Sequence, residues 1–368
     1  MKKFVITGAS IVALAIAGPA LAQSNSSTVD QSGTDNAATI DQTGSANSSD
    51  VTQSGLDSDV FVDQASTNSG ATIDQSGELN FAEVNQTGAN HNITITQSSV
   101  GPVAAGADFT AGVQVIQGGT GHNGTIVQSS TPGTYISATG TTGFFSSPNS
   151  ELRQFGTNNT ATNIQTGASN LSDIDQNGSD NIATVNQPGV HTASAAAQGG
   201  IGNTADVLQS NTSDVGGSSL GITIQGGVGN NTANIVQDGH STAFHTLQFF
   251  SIQTGDANVS NITQSGTDDR IHLEQIGNAN ISNITQNAGG VGNEADLDQF
   301  GDDGSSTVEQ SGTGNLADLE QSGGSTLAES TILQDGSSLT ATVTQGGAGN
   351  SSFVNQFGSN NTTTVTQH

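Results

Sequence analysis

The sequence predicts an all-β β-solenoid. Its strand–turn–strand rungs hold about 22 residues each, built from two 11-residue half-repeats. Two parallel sheets then lie face to face in a cross-β-like stack. Three observations lead there. Glutamine recurs every eleven residues, at Gln31, Gln42, Gln53, Gln64, Gln75, Gln86 and Gln97. The text between glutamines repeats as Q-x-G-x-x-N-x-A-x-(V/I/L)-x, as in Gln31-Ser-Gly-Thr-Asp-Asn36-Ala-Ala38-Thr-Ile40-Asp. The composition is 31% hydrophobic and 4% aromatic, too thin for a conventional core but enough for a narrow one shared along stacked rungs.

Side-chain parity sets the strand. With glutamine as position one, Asn at six, Ala at eight, the branched residue at ten and the next Gln at twelve share one face of an extended chain. Asn36, Ala38, Ile40 and Gln42 therefore point inward together, as do Asn181, Ala183, Val185 and Gln187. Ser, Thr, Asp and Asn occupy the outward positions. The x-G-x-x segment supplies the reversal, because Gly33, Gly44, Gly88, Gly178 and Gly312 adopt positive φ without steric cost. A helix is excluded: a Gly and an Asn in every unit, with β-branched alternation, oppose it.

Inward amides are costly unless paired. Stacking predicts a ladder in which each amide bonds its equivalent one rung above and below, which also fixes register. The expected ladder residues are Gln31, Gln42, Gln53, Gln64, Gln75, Gln86, Gln97, Gln165, Gln176, Gln187, Gln264, Gln275, Gln310, Gln345 and Gln356. The asparagines are Asn36, Asn47, Asn80, Asn159, Asn170, Asn181, Asn203, Asn280, Asn315 and Asn361.

In chain order, residues 1–22 read as a secretory signal peptide: Lys2 and Lys3, an apolar run from Phe4 to Ile16, and the cleavage motif Ala20-Leu21-Ala22. Residues 23–128 form a first repeat block, with a loop expected at 98–116 around Gly101-Pro102. Residues 129–153, with Pro132, Pro148, Tyr135 and Phe144-Phe145, read as an insertion at the side of the solenoid or a boundary between blocks. Residues 154–368 form a second block, irregular at 238–252, where Gln248 keeps the step from Gln237 but Gln253 sets the later phase. Steps of thirteen, Gln286 to Gln299 and Gln321 to Gln334, indicate two-residue turn insertions. The final repeat carries no capping helix.

Removal of the signal peptide leaves Arg153 and Arg270 against 32 acidic residues, which disfavours nucleic acid as a partner. The charge also keeps chains apart in solution. No later segment is apolar enough to span a membrane. Cysteine is absent, so neither disulfides nor thiol chemistry contributes. The seven histidines (91, 122, 191, 240, 245, 272, 368) are scattered, and turn or strand-face roles fit them better than a metal site at His240 and His245. Outward carboxylates such as Asp41, Asp63, Asp74, Asp175 and Glu320 read as a solvated face that discourages aggregation. No cofactor, metal, nucleophile elbow, phosphate loop or catalytic carboxylate pair emerges, and a non-enzymatic protein is expected.

The repeat resembles the curlin repeat of bacterial curli fibre subunits. Gln154-Phe-Gly156-Thr-Asn-Asn159-Thr-Ala161 and Gln176-Asn-Gly178-Ser-Asp-Asn181-Ile-Ala183-Thr-Val-Asn-Gln187 carry it fully, and the segment Val354 to His368 resembles a curlin terminus. The resemblance implies a secreted functional amyloid at the surface of a Gram-negative cell, serving adhesion and biofilm matrix. It implies self-association into a homopolymer, a nucleator subunit, and an outer-membrane curli secretion pore. The alternative is a monomeric secreted β-solenoid adhesin or binding protein. An ice-binding face is disfavoured because outward positions mix Thr, Asp, Ser and Asn.

Overall fold

The computed structural model describes residues 11–12, 24–99, 111–129, 149–167, 170–190, 192–210, 212–213, 218–241 and 246–368. Most of the expected signal peptide, the loop centre at 100–110, the insertion at 130–148, and 242–245 with His191 and His245 lie outside the described residues. Among the described residues there is no helix, and none long and apolar enough to cross a membrane. The chain divides into two compact units, residues 1–177 and 178–368.

In the first unit, strands Ala37–Ser45, Asp59–Thr67, Asn80–Ala89, Ala111–Thr120 and Asn149–Thr157 pair successively in parallel. Strands Ser26–Thr34, Ser48–Leu56, Gly70–Glu78, Asn92–Ser99, Asn123–Gln128 and Thr160–Gln165 do the same in a second sheet. Ile11–Val12 pairs with Ala37–Ala38. Successive strands alternate between sheets, so one turn of chain advances one rung. Like stacks on like: the half-buried Val29 leads into buried Val51, Ile73, Ile95 and Ile126 in one file, and Ile40, Val62, Val84, Val115 and Leu152 form the other.

The second unit repeats the design. Val185, Val207, Ile235, Ile262, Ile284, Val308, Ile332 and Val354 make a single file down one sheet. Leu273, Leu297, Leu319 and Val343 line the other. Phe249 fills a position that alanine holds elsewhere, and Gly221 on the paired strand yields the space: a Cβ there would stand 2.2 Å from the ring.

The segments expected as loops are shorter than the sequence suggested. Residues 111–116 of the expected 98–116 loop are strand, paired with Asn80–Ala89. Residues 149–153 of the expected insertion pair residue for residue with 112–116, and the strand Thr246–Asp256 takes in residues 246–252 of the irregular 238–252. The chain is back in register in the strands that begin at Ala111, Asn149 and Thr246, because the inward amides and branched residues fit one alignment only.

The corners use two left-handed residues. Gly33 has φ 104° and Asp35 φ 55°. A Cβ on Gly33 would lie 1.9 Å from the Gly55 carbonyl of the next rung, so close rung stacking requires glycine there. The second position tolerates Ala46, Asn68, Leu79 and Leu327. Its strain is offset because the backbone N–H stays in the rung-to-rung ladder, as in Asn68 N–H donating to the Ser45 carbonyl at 2.9 Å.

Candidate functional site

The inward glutamines form continuous side-chain ladders. In the first unit Gln31 Nε2 donates to Gln53 Oε1 (2.6 Å), Gln53 to Gln75 (2.9 Å), Gln75 to Gln97 (2.8 Å), Gln97 to Gln128 (3.0 Å) and Gln128 to Gln165 (2.8 Å). The facing ladder runs Gln42, Gln64, Gln86, Gln117, Gln154, Gln176. In the second unit one ladder runs Gln187, Gln209, Gln237, Gln264, Gln286, Gln310, Gln334, Gln356. The other runs Gln198, Gln225, Gln253, Gln275, Gln299, Gln321, Gln345, Gln367. Sequence steps of 31 and 37 across the insertions leave the bonds as short as steps of 22.

Many ladder amides have a second function. Gln53 Nε2 also donates to the Ala37 carbonyl at 3.1 Å, Gln64 to Ser48 at 3.1 Å and Gln264 to Gln248 at 2.9 Å. The acceptor is the backbone at the start of the facing strand. Glutamine therefore ties rung to rung and sheet to sheet with its two N–H groups. This cross-tie has no signature in the sequence, because it joins residues sixteen apart on opposite sheets. Gln248 sits on the outward parity of its strand, and Gln253 takes the ladder position.

The asparagines behave differently from the expectation. Among the described residues, the bonds of the inward column run to corner backbone groups. Asn47 Oδ1 accepts the Ser69 backbone N–H at 3.1 Å, and Asn36 Oδ1 that of Ser58 at 3.1 Å. Asn47 Nδ2 donates to the carbonyls of Thr43 (2.9 Å) and Ser66 (2.8 Å). Asn181, Asn203, Asn280 and Asn315 accept in the same way from Asn203, Asn231, Gly304 and Leu339. Asn80 and Asn159 donate to the carbonyls four residues earlier, as does Asn361; Asn170 is buried. The physical reason is reach: asparagine is one methylene shorter than glutamine and stands at the corner, where the turn carbonyls are the nearest acceptors. It is a turn clamp that spans two rungs.

Three clamp positions hold titratable residues. His91 and His122 replace asparagine on consecutive rungs, with rings stacked at 5.1 Å and 7°. Their Nε2 atoms reach the carbonyls of Thr87 (2.9 Å) and Gly118 (3.1 Å), and His122 Nδ1 accepts the Asn159 N–H at 3.1 Å. Burial pushes both imidazoles below their ordinary value. Asp269 replaces asparagine in the second unit and is fully buried. The period points to these positions once the Asn slot is aligned; their rung-to-rung adjacency is visible only in the fold.

The outward faces carry the charge. In the second unit His272, Asp296 and Asp318 stand side by side on successive strands, next to Glu274, Asp298 and Glu320. Burial and neighbouring carboxylates raise the pKa values of Asp298 and Asp318. His272 Nδ1 lies 2.9 Å from Asp296 Oδ1, and ligand atoms of His272, Asp296 and Asp298 all fall within 4.8 Å of one another, so among the described residues this cluster could hold a cation. In the first unit Arg153 reaches Glu151 (3.3 Å), Asp173 (3.4 Å) and Asp175 (3.8 Å). A shallow groove of about 430 Å³ nearby is lined by Phe81, Gln114, Glu151, Leu171 and Asp173.

These features define a class: parallel β-solenoids built from short repeats, each rung clamped to the next by stacked amides, structural rather than catalytic in design. Within that class, the family model of the curlin associated repeat matches residues 33–65, 67–98, 154–189, 312–347 and 336–368. The chain carries the curlin repeat, and its fold and repeats fit a curli-like structural subunit. No curated protein matches the chain.

Proposed function

We propose that this protein is a structural subunit of extracellular, curli-like amyloid fibres that serve cell adhesion and biofilm matrix. The observation that carries the reading is the polarity of the glutamine ladders. Along each ladder Nε2 donates toward the C-terminal side and Oε1 accepts from the N-terminal side. A second copy stacked in the same sense would set donors against acceptors, a head-to-tail match, and such heterologous contacts propagate without closing. Exposed strand edges template further strands by the same logic.

The route to the cell surface follows from the same reading: a Sec signal peptide, a nucleator subunit and an outer-membrane curli secretion pore. The deciding experiment incubates purified mature protein, with and without preformed seeds. Seeded growth of fibres with cross-β diffraction supports the reading. A chain that stays monomeric at high concentration for days would falsify it and favour a monomeric adhesin.

A further inference from the structure

Asp269 is the one carboxyl among the described residues that is fully buried. It stands in the column Asp269, Asn293, Asn315, at the corner where asparagine normally clamps two rungs. Half of the clamp is intact: Asp269 Oδ1 accepts the Asn293 backbone N–H at 2.8 Å. The other half is not. In Asn293 and Asn315 the second polar atom is an N–H donor, directed at the carbonyls of Gly312 and Gly336. In Asp269 that atom is Oδ2, buried and without a partner. A Cβ on Gly266 would lie 2.0 Å from Oδ2 and 2.8 Å from the Gly290 carbonyl oxygen, so Oδ2 points into the region where the turn presents acceptors.

We propose that Asp269 is a proton-operated latch: as a carboxylic acid its O–H donates to the turn as an asparagine amide does, and as a carboxylate it loosens the corner formed by residues 265–269. Ionised, the side chain leaves an unpartnered Oδ2 in a site that water does not reach, and the unpaired charge is costly. Protonated, it is an isostere of the asparagine found on the next two rungs of the column.

The surroundings agree. Burial raises the carboxyl to about 6, the bonds from Asn293 hold it down, and Asp268 on the same turn pushes it up. The strand that follows begins with Arg270, exposed to solvent, and the neighbouring rung begins with Asn293 and the exposed Glu294. On the other side lie Asp238 and His240, whose carbonyl accepts the Asp268 N–H. None of these offers Oδ2 a buried counter-charge. The folded value lies above the ordinary 3.8, so the latch is fully closed below about pH 4. It weakens as pH rises toward about 6 and stays open above that. A gap of about two pH units corresponds to roughly a hundredfold in the local opening equilibrium.

Amide hydrogen exchange on the folded mature protein tests this, whether or not the sample forms fibres. Wild type and Asp269→Asn are compared at matched pH, so that intrinsic exchange rates cancel. At pH 7.5 the amides of residues 265–269 and Asn293 should exchange roughly a hundredfold faster in wild type. At pH 4 the two proteins should differ by no more than a few-fold. A ratio that is the same at both pH values overturns the proposal. So does full recovery of wild-type protection at pH 7.5 on adding calcium chloride, which would make Oδ2 a cation ligand.

Discussion

The glutamine cross-tie makes a sharp prediction at Gln264. Replacing it with leucine keeps side-chain size and removes three bonds. Gln237 Nε2 loses its acceptor at 2.8 Å, Gln286 Oε1 loses its donor at 3.0 Å, and the Gln248 carbonyl loses its side-chain donor at 2.9 Å. The orphaned ladder groups are buried, and each such group costs about 1–3 kcal/mol. The leucine offsets part of that loss by about 1–2 kcal/mol of apolar burial. The expected net destabilisation is about 2–4 kcal/mol. Gln248 is the internal control: it lies one eleven-residue step beyond Gln237 in sequence, yet its side chain faces outward. Gln248→Leu should stay within about 0.5 kcal/mol of wild type. Urea denaturation of the soluble protein, with hydrogen exchange at residues 237 and 286 to localise the damage, measures both. Equal effects of the two substitutions would refute the ladder as a source of stability and leave the repeat as mere composition.

Three further outcomes are expected. Gly277→Ala places a Cβ 1.8 Å from the Gly301 carbonyl at φ 129° and should lower the melting temperature strongly, whereas Gly226→Ala meets no atom within 4 Å and should be near neutral. His91 and His122 titrate below the ordinary 6.5 because they are buried. Their contribution to the first unit is complete above that value and declines as pH falls below it, opposite in sign to Asp269, and the double variant H91N/H122N should flatten this dependence in a pH series of melting curves. The adjacent outward carboxylates, with Asp298 and Asp318 raised, predict shorter fibre lag times at lower pH or higher salt. Thioflavin kinetics insensitive to both would remove repulsion from the account.

Much of this molecule is local in origin and therefore readable from the text. Burial face is a matter of parity along one strand, so the inward placement of Ile40, Val62 and the glutamines follows from spacing alone. The need for glycine at Gly33 follows from turn chemistry, although the tight approach to Gly55 that enforces it does not. Residues 111–116 and 149–153 read as loop in the sequence because Gly112, Arg153 and their neighbours break the repeat text without breaking the pairing. The asparagine clamps are not legible in the sequence because glutamine and asparagine share an amide but differ in length, and only the corner geometry shows which acceptors each one meets.

By itself, then, the sequence determined the period, the strand and turn positions and the face each residue presents. All of these depend on residues within one half-repeat. The tertiary structure alone decided the partners. It set the glutamine tie to the facing sheet, stacked His91 on His122 from rungs 31 residues apart in sequence, and left Asp269 Oδ2 unpaired. The physical reason is that a hydrogen bond depends on distances between chain segments 16 to 37 residues apart. Those distances exist only once the rungs have closed on one another.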